Sequence, residues 1–329
     1  MKKNIAVMAG GPGAEAGISL MSGDIVCQYL DKEKYNVYKV VIEGNDWLVQ
    51  NGNAKTTIDK NDFTCLIDGS TVKFDAVFVA IHGTPAEDGK LQGYLDMMSV
   101  PYNCCGVMTA ALTFDKSRTK EYLAPYGVLS AKSIVAKKND DKPALMQRVD
   151  QLLSYPLFVK PNKNGSSYGA SKVDSKEALE AAIKLAFDYD DEILAEEYIK
   201  GTEVTCGVIK YKGKITTLPL TEIRSKNAFF DYKAKYEGDS KEVTPAEIDP
   251  AIAKKIQETS AFIYQKLDFK GMCRVDYILR DGQYYMLEVN SVPGLSAESI
   301  VPQQAKAFGI TLAELFGNSV EECLNPQTP

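Results

Sequence analysis

The first hundred residues alternate between short apolar runs and a helical pattern. The runs "NIAVMAG" (4–10) and "NVYKVVIEG" (36–44) indicate strands, and the nearly continuous apolar run "DAVFVAIHG" (75–83) is typical of a buried parallel strand. A polar segment, "VQNGNAKTTIDKND" (49–62), separates the last two. Between the first two runs, one helical stripe carries Ile18, Met21, Ile25, Val26, Tyr29 and Leu30. The alternation predicts an α/β fold with an N-terminal doubly wound parallel sheet that binds ligands at the carboxyl ends of its strands.

Two further regions follow with different patterns. The first predicts a helical stretch at 106–127, a strand at 155–161, a glycine and serine turn, a helix at 175–190 and a strand at 192–199. In the second, β signals dominate in an α+β arrangement, with a hairpin at Asp281–Gly282. Its long polar segment at about 224–249 favours an active-site lid. We therefore predict three domains, at 1–104, 105–199 and 200–329.

Composition narrows the class of protein. Of 329 residues, 45% are hydrophobic and 25% are charged, as in ordinary globular chains, and the net charge of −6 does not indicate a nucleic-acid partner. Seven cysteines without a C-x-x-C pair argue for reduced thiols in a cytoplasmic protein. No apolar run is long enough for a signal peptide or a membrane span, so we expect no membrane partner. The single histidine, His82, excludes zinc sites built on several histidines.

One polar face stands out on the hairpin in the last region. Arg274 and Asp276 are two residues apart on one strand, and Glu288 and Asn290 are two apart on its partner, so each pair shares a face. Two carboxylates and a carboxamide are oxygen ligands that suit Mg²⁺. A solvated polar face with a cross-strand Arg–Glu pair is the alternative, but the direct continuation into "SVPG" favours the metal site.

Two other stretches carry candidate nucleotide contacts. Lys160 ends an apolar strand before the glycine and serine turn "NKNGSSYGASKV" (162–173), whose N–H groups can cradle phosphate oxygens. An exposed lysine beside an ordinary turn fits equally well. Glu196 and Glu197 end the next strand and Glu203 begins another, where they could meet an adenine edge and a ribose. A charged surface connector is the alternative.

The loop after the first strand fits a dinucleotide-binding turn. Gly11, Gly13 and Ala16 match G-x-G-x-x-(G/A), and Glu43 lies at the end of the next strand, where a ribose partner is expected. Glycine-rich strand-to-helix turns also serve folds that bind no NAD, so the loop alone leaves both possibilities open.

Taken in order, the motifs of the whole chain resemble the ATP-grasp superfamily and, within it, the D-alanine–D-alanine ligase family. The resemblance rests on "GGPGAEAGISLMSG", "IHGTPAEDGKLQGYLD", "TFDKSRTK", "VKPNKNGSSYGASKV", "FFDYKAKY", "CRVDY" and "LEVNSVPGLSAESIVP". It implies three-domain ATP-grasp architecture and a two-step ligation for peptidoglycan precursor synthesis. ATP phosphorylates the carboxylate of one D-alanine, and the amine of a second attacks the acyl phosphate. It also implies a cytoplasmic enzyme that is commonly a homodimer.

The resemblance assigns roles to residues that match the family's motifs. For ATP it implies phosphate contacts at Lys116, Lys160 and, in the lid, Lys235. Adenine and ribose would be held by Glu196, Glu197, Ile199 and Glu203. Asp276, Glu288 and Asn290 would bind two Mg²⁺ or Mn²⁺ ions. For the first D-alanine it implies that Glu15 anchors the ammonium beside Ser166 and Tyr236, and that His82 lies near the carboxylate. It implies that Arg274 and the Gly294 N–H stabilise the developing oxyanion. Ser299 and Ile300 would bind the carboxylate of the second D-alanine.

The chain departs from the family pattern at a few positions. Ala16–Gly17 replaces the usual Arg-Glu pair, "AEDG" replaces "GEDG", Asn103-Cys104-Cys105 stands in place of a glycine-rich turn, and Lys233 stands where an acid is common. Tyr236 favours an amine as the second nucleophile, because relatives that make D-Ala–D-lactate typically carry Phe there. D-serine or D-lactate as second substrate remains an alternative, as does an NAD-binding oxidoreductase. The oxidoreductase would leave the polar face of the hairpin unexplained.

Overall fold

The computed structural model describes residues 1–51, 54–225 and 240–325. Within these ranges the helices are α1 Ala16–Tyr29, α2 Lys90–Met97, α3 Val107–Phe114, α4 Lys116–Leu123, α5 Lys142–Leu152, α6 Lys176–Phe187, α7 Pro250–Lys266, α8 Ile300–Phe308 and α9 Leu312–Leu324. The strands are β1 Lys3–Gly10, β2 Tyr35–Glu43, β3 Asp46–Asn51, β4 Ala54–Thr57, β5 Thr64–Ile67, β6 Ser70–Lys73, β7 Ala76–Val79, β8 Ser133–Lys137, β9 Leu157–Pro161, β10 Ser171–Val173, β11 Glu192–Glu197, β12 Thr202–Tyr211, β13 Lys214–Thr217, β14 Thr221–Ser225, β15 Ser240–Val243, β16 Met272–Arg280 and β17 Gln283–Asn290.

The N-terminal sheet has the strand order β4-β3-β2-β1-β7. Strand β1 pairs in parallel with β2 and β7, and helices cover both faces, because Ile5 and Val7 pack in one core with α1 and α9 while Ala6 and Met8 pack in another with α2. The predicted doubly wound parallel sheet is confirmed at these three strands. The outer strands β3 and β4 are antiparallel and arise from the segment expected to be merely polar. The buried Val49 anchors that edge in the core.

The central sheet is antiparallel, in the order β10-β9-β11-β8. Its core combines apolar residues of β9 and β11 with those of α5 and α6, such as Val149 and Ile183. The single helical stretch expected at 106–127 is two helices, α3 and α4, because Asp115 is extended (φ −89°, ψ 99°) and caps α4 by accepting from the Arg118 N–H. This break fixes Lys116 at the first position of α4.

The C-terminal sheet runs β15-β14-β12-β16-β17, with β13 also paired to β12. Helix α7 packs on one face through Ile263 and Tyr264, and α8 and α9 connect the sheet to the N-terminal core. The predicted turn between β16 and β17 is confirmed, with positive φ at Asp281 (51°) and Gly282 (76°). The α/β class, with an α+β C-terminal part, is therefore confirmed.

A β-bulge in the β16–β17 hairpin alters one sequence-based expectation. Regular alternation would place Leu287 on the apolar face with Val275, Tyr277 and Val289. The register shifts at Asp276/Tyr277, so that Asp276 pairs with Glu288 and Tyr277 pairs with Met286. Leu287 has no strand partner there and lines the cleft described below.

Candidate active site

A cleft between the central and C-terminal sheets gathers residues from several places in the fold. Its walls come from the end of β9, the glycine and serine turn after it, the start of α4, the β11–β12 connection and the β16–β17 hairpin, with Ile278 and Leu287 as an apolar wall. Every described residue that the resemblance assigns to ATP lines it, with two of the metal candidates: Lys116, Lys160, Glu196, Glu197, Ile199, Glu203, Asp276 and Glu288. The predicted nucleotide residues therefore share one cleft.

Three lysines converge beside this cleft. Lys116 Nζ donates to the Asn164 carbonyl at 2.6 Å and lies 3.2 Å from Glu288 Oε2. Lys160 Nζ lies 2.6 Å from Glu196 Oε1, and Lys120 Nζ pairs with the other oxygen, Glu196 Oε2. Burial alone would raise the pKa of Glu196, but the two ammonium groups outweigh it and lower the pKa to about 2. Glu196 is therefore a carboxylate at neutral pH.

A buried carboxamide joins Lys116 to the strand that carries Lys160. Asn162, which follows β9 and is 0% exposed, accepts from the Ser117 N–H at 2.9 Å and donates to Asp115 Oδ1 at 2.8 Å. Burial alone would raise the pKa of Asp115, but hydrogen bonds from the Arg118 N–H, the Asn162 carboxamide and the Ser117 hydroxyl outweigh it and lower the pKa. These contacts hold the start of α4 against the end of β9, and so set the spacing of the two lysines.

The polar face of the hairpin has the pairing that the sequence predicts. Arg274 lies opposite Asn290, and Asp276 opposite Glu288. The Arg274 guanidinium donates to both Asp276 oxygens at 2.8 Å, and Asn290 Nδ2 donates to Asp276 Oδ2 at 2.9 Å. Burial alone would lower the pKa of Arg274, but Asp276 outweighs it and raises the pKa. The guanidinium therefore pairs with a carboxylate of its own strand rather than across to Glu288, and the residues expected as metal ligands share this face.

The hard-oxygen character of this face fits Mg²⁺. In the part of the chain that the structure describes, no site for a metal ion consists of three or more His, Cys, Asp or Glu residues. A metal on this face would instead use two carboxylates, those of Asp276 and Glu288, with the carboxamide oxygen of Asn290. Water and phosphate oxygens would complete its coordination.

A second cavity adjoins the first and contains the predicted substrate residues. It is lined by the following members of that set: Glu15, His82, Ser166, Arg274, Gly294, Ser299 and Ile300. Glu15 Oε1 accepts from Ser166 Oγ at 2.5 Å, which joins the N-terminal loop to the glycine and serine turn. A Cβ on Gly165 would lie 2.5 Å from Glu15 Oε2, so the turn needs glycine for this close approach. Glu288 lines both cavities and Asn290 lines the second.

His82 is oriented from both sides of its ring. Nδ1 lies 3.0 Å from the Val292 carbonyl and Nε2 lies 3.0 Å from Ser22 Oγ. Burial lowers the pKa of the imidazole, and a carbonyl can only accept. We therefore assign the proton to Nδ1, so that Nε2 accepts from Ser22.

The N-terminal glycine loop presents a carboxylate to this cavity. Gly10 (φ 89°) and Gly11 (φ 109°) have left-handed backbones, and a Cβ on Gly10 would lie 2.8 Å from the Ile42 carbonyl oxygen. Glu15 is the residue directly before α1, and it lines the cavity. Glu43, the expected ribose partner of a dinucleotide, is exposed and lies 3.7 Å from Lys55. The loop's geometry favours Glu15 as its functional residue.

Sequence reasoning missed three polar residues at the site, of which Lys120 and Asn162 are buried and Glu87 is half-buried. Lys120 follows Lys116 by one helical turn, a spacing that could have identified it. Glu87, within "AEDG", accepts from the Gly83 N–H at 2.9 Å and lines the second cavity. Burial and the nearby Glu15 raise the pKa of Glu87 to about 7. Asn162 had no distinguishing signal, since its role depends on the contact between α4 and β9.

Two predicted residues lie outside the described residues. Lys235 and Tyr236 fall in 226–239, as does Lys233, so their assignments remain predictions. Glu242, on β15 directly after this range, lines the second cavity. None of the helices within the described ranges combines the length and the apolar character needed to cross a bilayer.

Comparison with known proteins agrees with the family resemblance along almost the whole chain. The family models described as "D-ala D-ala ligase N-terminus" and "D-ala D-ala ligase C-terminus" match residues 4–105 and 123–321. The D-alanine–D-alanine ligase of Flavobacterium johnsoniae is 47% identical over 97% of this chain and 98% of its own length. That of Bacteroides fragilis is 42% identical, over 98% and 99%.

Solved structures agree as well. A D-Ala:D-Ser ligase from Enterococcus faecalis superposes with a TM-score of 0.87 at 31% identity, over 98% of this chain and 99% of that one. The D-alanine–D-alanine ligase of Bacillus anthracis complexed with ATP gives a TM-score of 0.77 at 28% identity, over 98% and 97%. The expected ATP-grasp architecture is thereby confirmed. The chain belongs to the D-alanine–D-alanine ligase family.

Proposed function

We propose that this chain uses ATP to join two D-alanine molecules into D-alanyl-D-alanine, a peptidoglycan precursor, through a D-alanyl phosphate. The observation that carries the proposal is the junction of the two cavities at Glu288. One side holds Lys116 and Lys160 for phosphates, and the other holds Glu15 and Arg274 for an amino acid. A phosphoryl group and a substrate carboxylate can therefore meet beside the same hairpin.

The first step transfers the γ-phosphoryl group to the carboxylate of the first D-alanine. A carboxylate oxygen forms the new bond to phosphorus, and ADP leaves. Lys116 and Lys160 would neutralise phosphate charge, while Lys235 is proposed to reach the transferred group from the lid. Glu15, supported by Ser166, would hold the ammonium of the substrate so that its carboxylate faces the phosphate. This step depends on positioning and charge neutralisation more than on a protein nucleophile.

Two Mg²⁺ or Mn²⁺ ions are proposed on Asp276, Glu288 and Asn290. Bound there, they would supply positive charge that neutralises the phosphates of ATP. Arg274 holds Asp276 from behind with two hydrogen bonds, so the carboxylate is oriented before a metal binds.

The second step forms the peptide bond. The amine of the second D-alanine attacks the acyl carbon, its proton is lost, and phosphate leaves from the tetrahedral intermediate. Arg274 and the Gly294 N–H are proposed to stabilise the oxyanion of this intermediate. Ser299 and the backbone at Ile300 would bind the second carboxylate, while His82 would contact the first substrate near its own carboxylate.

D-serine as the second substrate is the alternative within the family, because the Enterococcus faecalis relative is named as a D-Ala:D-Ser ligase. Tyr236 supports an amine nucleophile on the strength of the family resemblance. Tyr236→Phe should shift preference toward a hydroxy acid, and unchanged competition between D-alanine and D-lactate would contradict its assigned role. We also propose a cytoplasmic homodimer, to be tested by fractionation and light scattering.

Ligand-induced stabilisation separates the ligase from the oxidoreductase alternative. Mg-ATP at a hundred times its Kd should stabilise the protein by about 2.7 kcal/mol and raise its melting temperature. NAD should leave the melting temperature unchanged. Stabilisation by NAD without stabilisation by Mg-ATP would contradict the proposal.

A further inference from the structure

Behind the phosphate cleft lies a buried lysine to which the proposed mechanism gives no role. Lys120 is 6% exposed on α4, and its ammonium pairs with Glu196 Oε2. Unlike Lys116, one turn earlier, and Lys160, it does not line the cleft. It therefore contacts Glu196 without belonging to the lining of the cleft.

Each oxygen of the Glu196 carboxylate is paired with a different ammonium group. Lys160 Nζ lies 2.6 Å from Glu196 Oε1, on the cleft side, and Lys120 holds the other oxygen. The side chains of Glu196, Lys120 and Lys160 are 3%, 6% and 11% exposed, so water screens these charges poorly. A buried carboxylate needs a cation, and Glu196 has one on each side.

We propose that Lys120 is a positioning residue that serves as the permanent counter-ion of Glu196 and thereby releases Lys160 for the nucleotide phosphates. When Lys160 turns from Glu196 to a phosphate, Glu196 keeps a paired charge because Lys120 stays. Without Lys120, the carboxylate would depend on Lys160 alone among the cations that the structure places against it. Phosphate and Glu196 would then compete for one ammonium group.

The positions of the neighbouring cations support this division of roles. Lys116 is directed elsewhere, to the Asn164 carbonyl and to Glu288, and cannot replace Lys120 at Glu196. Burial lowers the pKa of Lys120, as do the like charges of Lys160 and Lys116, whereas Glu196 opposes this change. The inference rests on the proposed ATP site and adds a residue to it.

The test is a double-mutant cycle on nucleotide affinity. Lys120→Met keeps an unbranched apolar stem and removes the ammonium group with its charge and its hydrogen bond, and it leaves Glu196 paired with Lys160. We expect it to weaken binding of a non-hydrolysable ATP analogue with Mg²⁺ at least tenfold by calorimetry, with KM for D-alanine within twofold of wild type. Lys120→Arg, which keeps the charge, should stay within about threefold of wild type.

The second half of the cycle uses Glu196→Gln, which removes the charge for which Lys160 is needed. On that background Lys120→Met should change analogue affinity less than twofold, because there is no carboxylate left to hold Lys160. Lys39→Met is the matched control. Lys39 is also mostly buried and paired, 2.6 Å from Asp24, but it lies in the N-terminal sheet, and its variant should bind the analogue normally.

The outcomes are distinguishable. A tenfold loss that persists on the Glu196→Gln background, or no loss in Lys120→Met, overturns the role of Lys120 while the ATP site stands. Absence of analogue binding by the wild-type protein instead overturns the proposed function itself. Melting curves of every variant identify any loss of affinity caused by unfolding. If Lys120→Met does not fold, Lys120→Arg tests the proposal, and a tenfold loss in that variant with normal melting overturns it.

Discussion

Truncating Asn162 tests whether the buried contact between α4 and β9 sets the phosphate site. Asn162→Ala removes the acceptor of the Ser117 N–H at 2.9 Å and the donor to Asp115 Oδ1 at 2.8 Å. A buried donor left without its partner costs about 1–3 kcal/mol, and a lost hydrogen bond to a charged group costs about 1.5–3 kcal/mol. Since Asp115 keeps its contacts with Ser117 Oγ and the Arg118 N–H, we expect the substitution to lower the free energy of unfolding by about 2–4 kcal/mol.

The assay is urea unfolding followed by circular dichroism, combined with nucleotide titration. Asn36→Ala is the control, because Asn36 makes an exposed side-chain hydrogen bond to Asn4. Its substitution should change the free energy of unfolding by no more than about 0.5 kcal/mol. At temperatures below its melting transition, where it is folded, the Asn162 variant should also bind Mg-ATP more weakly, because the spacing of Lys116 and Lys160 relaxes. A stability loss below about 1 kcal/mol together with normal nucleotide affinity would refute the reasoning.

Three further predictions follow from the site. Glu288→Ala should abolish D-alanine-dependent phosphate release while the melting temperature stays near that of wild type, and near-normal turnover would contradict the metal assignment. Gly294→Ala would place a Cβ 2.7 Å from Ser299 Oγ, so steady-state kinetics should show a raised KM for the second D-alanine and an unchanged KM for ATP. The pKa of Glu87 is raised from 4.5 to about 7, so the folded state holds this proton more tightly than the unfolded state. From pH 5 to pH 8 the free energy of unfolding of the wild type should therefore fall by up to about 3 kcal/mol relative to that of Glu87→Gln, as measured by urea unfolding. Parallel pH profiles of the two proteins would contradict this.

Patterns carried by neighbouring residues were predictable. The period of two placed Arg274 with Asp276 and Glu288 with Asn290, and Asp281–Gly282 supplied the turn that pairs them. Each of these features depends on a few consecutive positions. The hairpin could therefore be described before any tertiary contact was known.

Features that depend on tertiary contacts were not predictable in the same way. Helical periodicity did not reveal the break at Asp115, where the Asp115 carboxylate caps α4 and also accepts from Asn162, a residue distant in the sequence. The bulge that turns Leu287 into the cleft changes the face of one residue without changing the pattern. The spacing of Lys120 from Lys116 places it on the same face of α4, but its pairing with Glu196 depends on the packing of β11 beside that helix.

The glycine loop shows how one motif can support two functions. Its spacing fits a dinucleotide-binding turn, and its glycines do make a tight approach to the Ile42 carbonyl. The fold places Ser166, on the glycine and serine turn, against Glu15 of this loop. It does not place the acid at the end of the next strand, Glu43, there. The partner across the cavity, which local sequence does not encode, decides the role of Glu15.

The most direct test of the central claim is turnover with Mg-ATP, measured as phosphate release and as product mass, with D-alanine, D-serine and D-lactate supplied separately and in pairs. The account predicts that D-alanine alone supports phosphate release with one D-alanyl-D-alanine formed per phosphate. Addition of D-lactate should yield no more than a minor ester product. Phosphate release that is independent of D-alanine, or none with any of the three, would contradict the account.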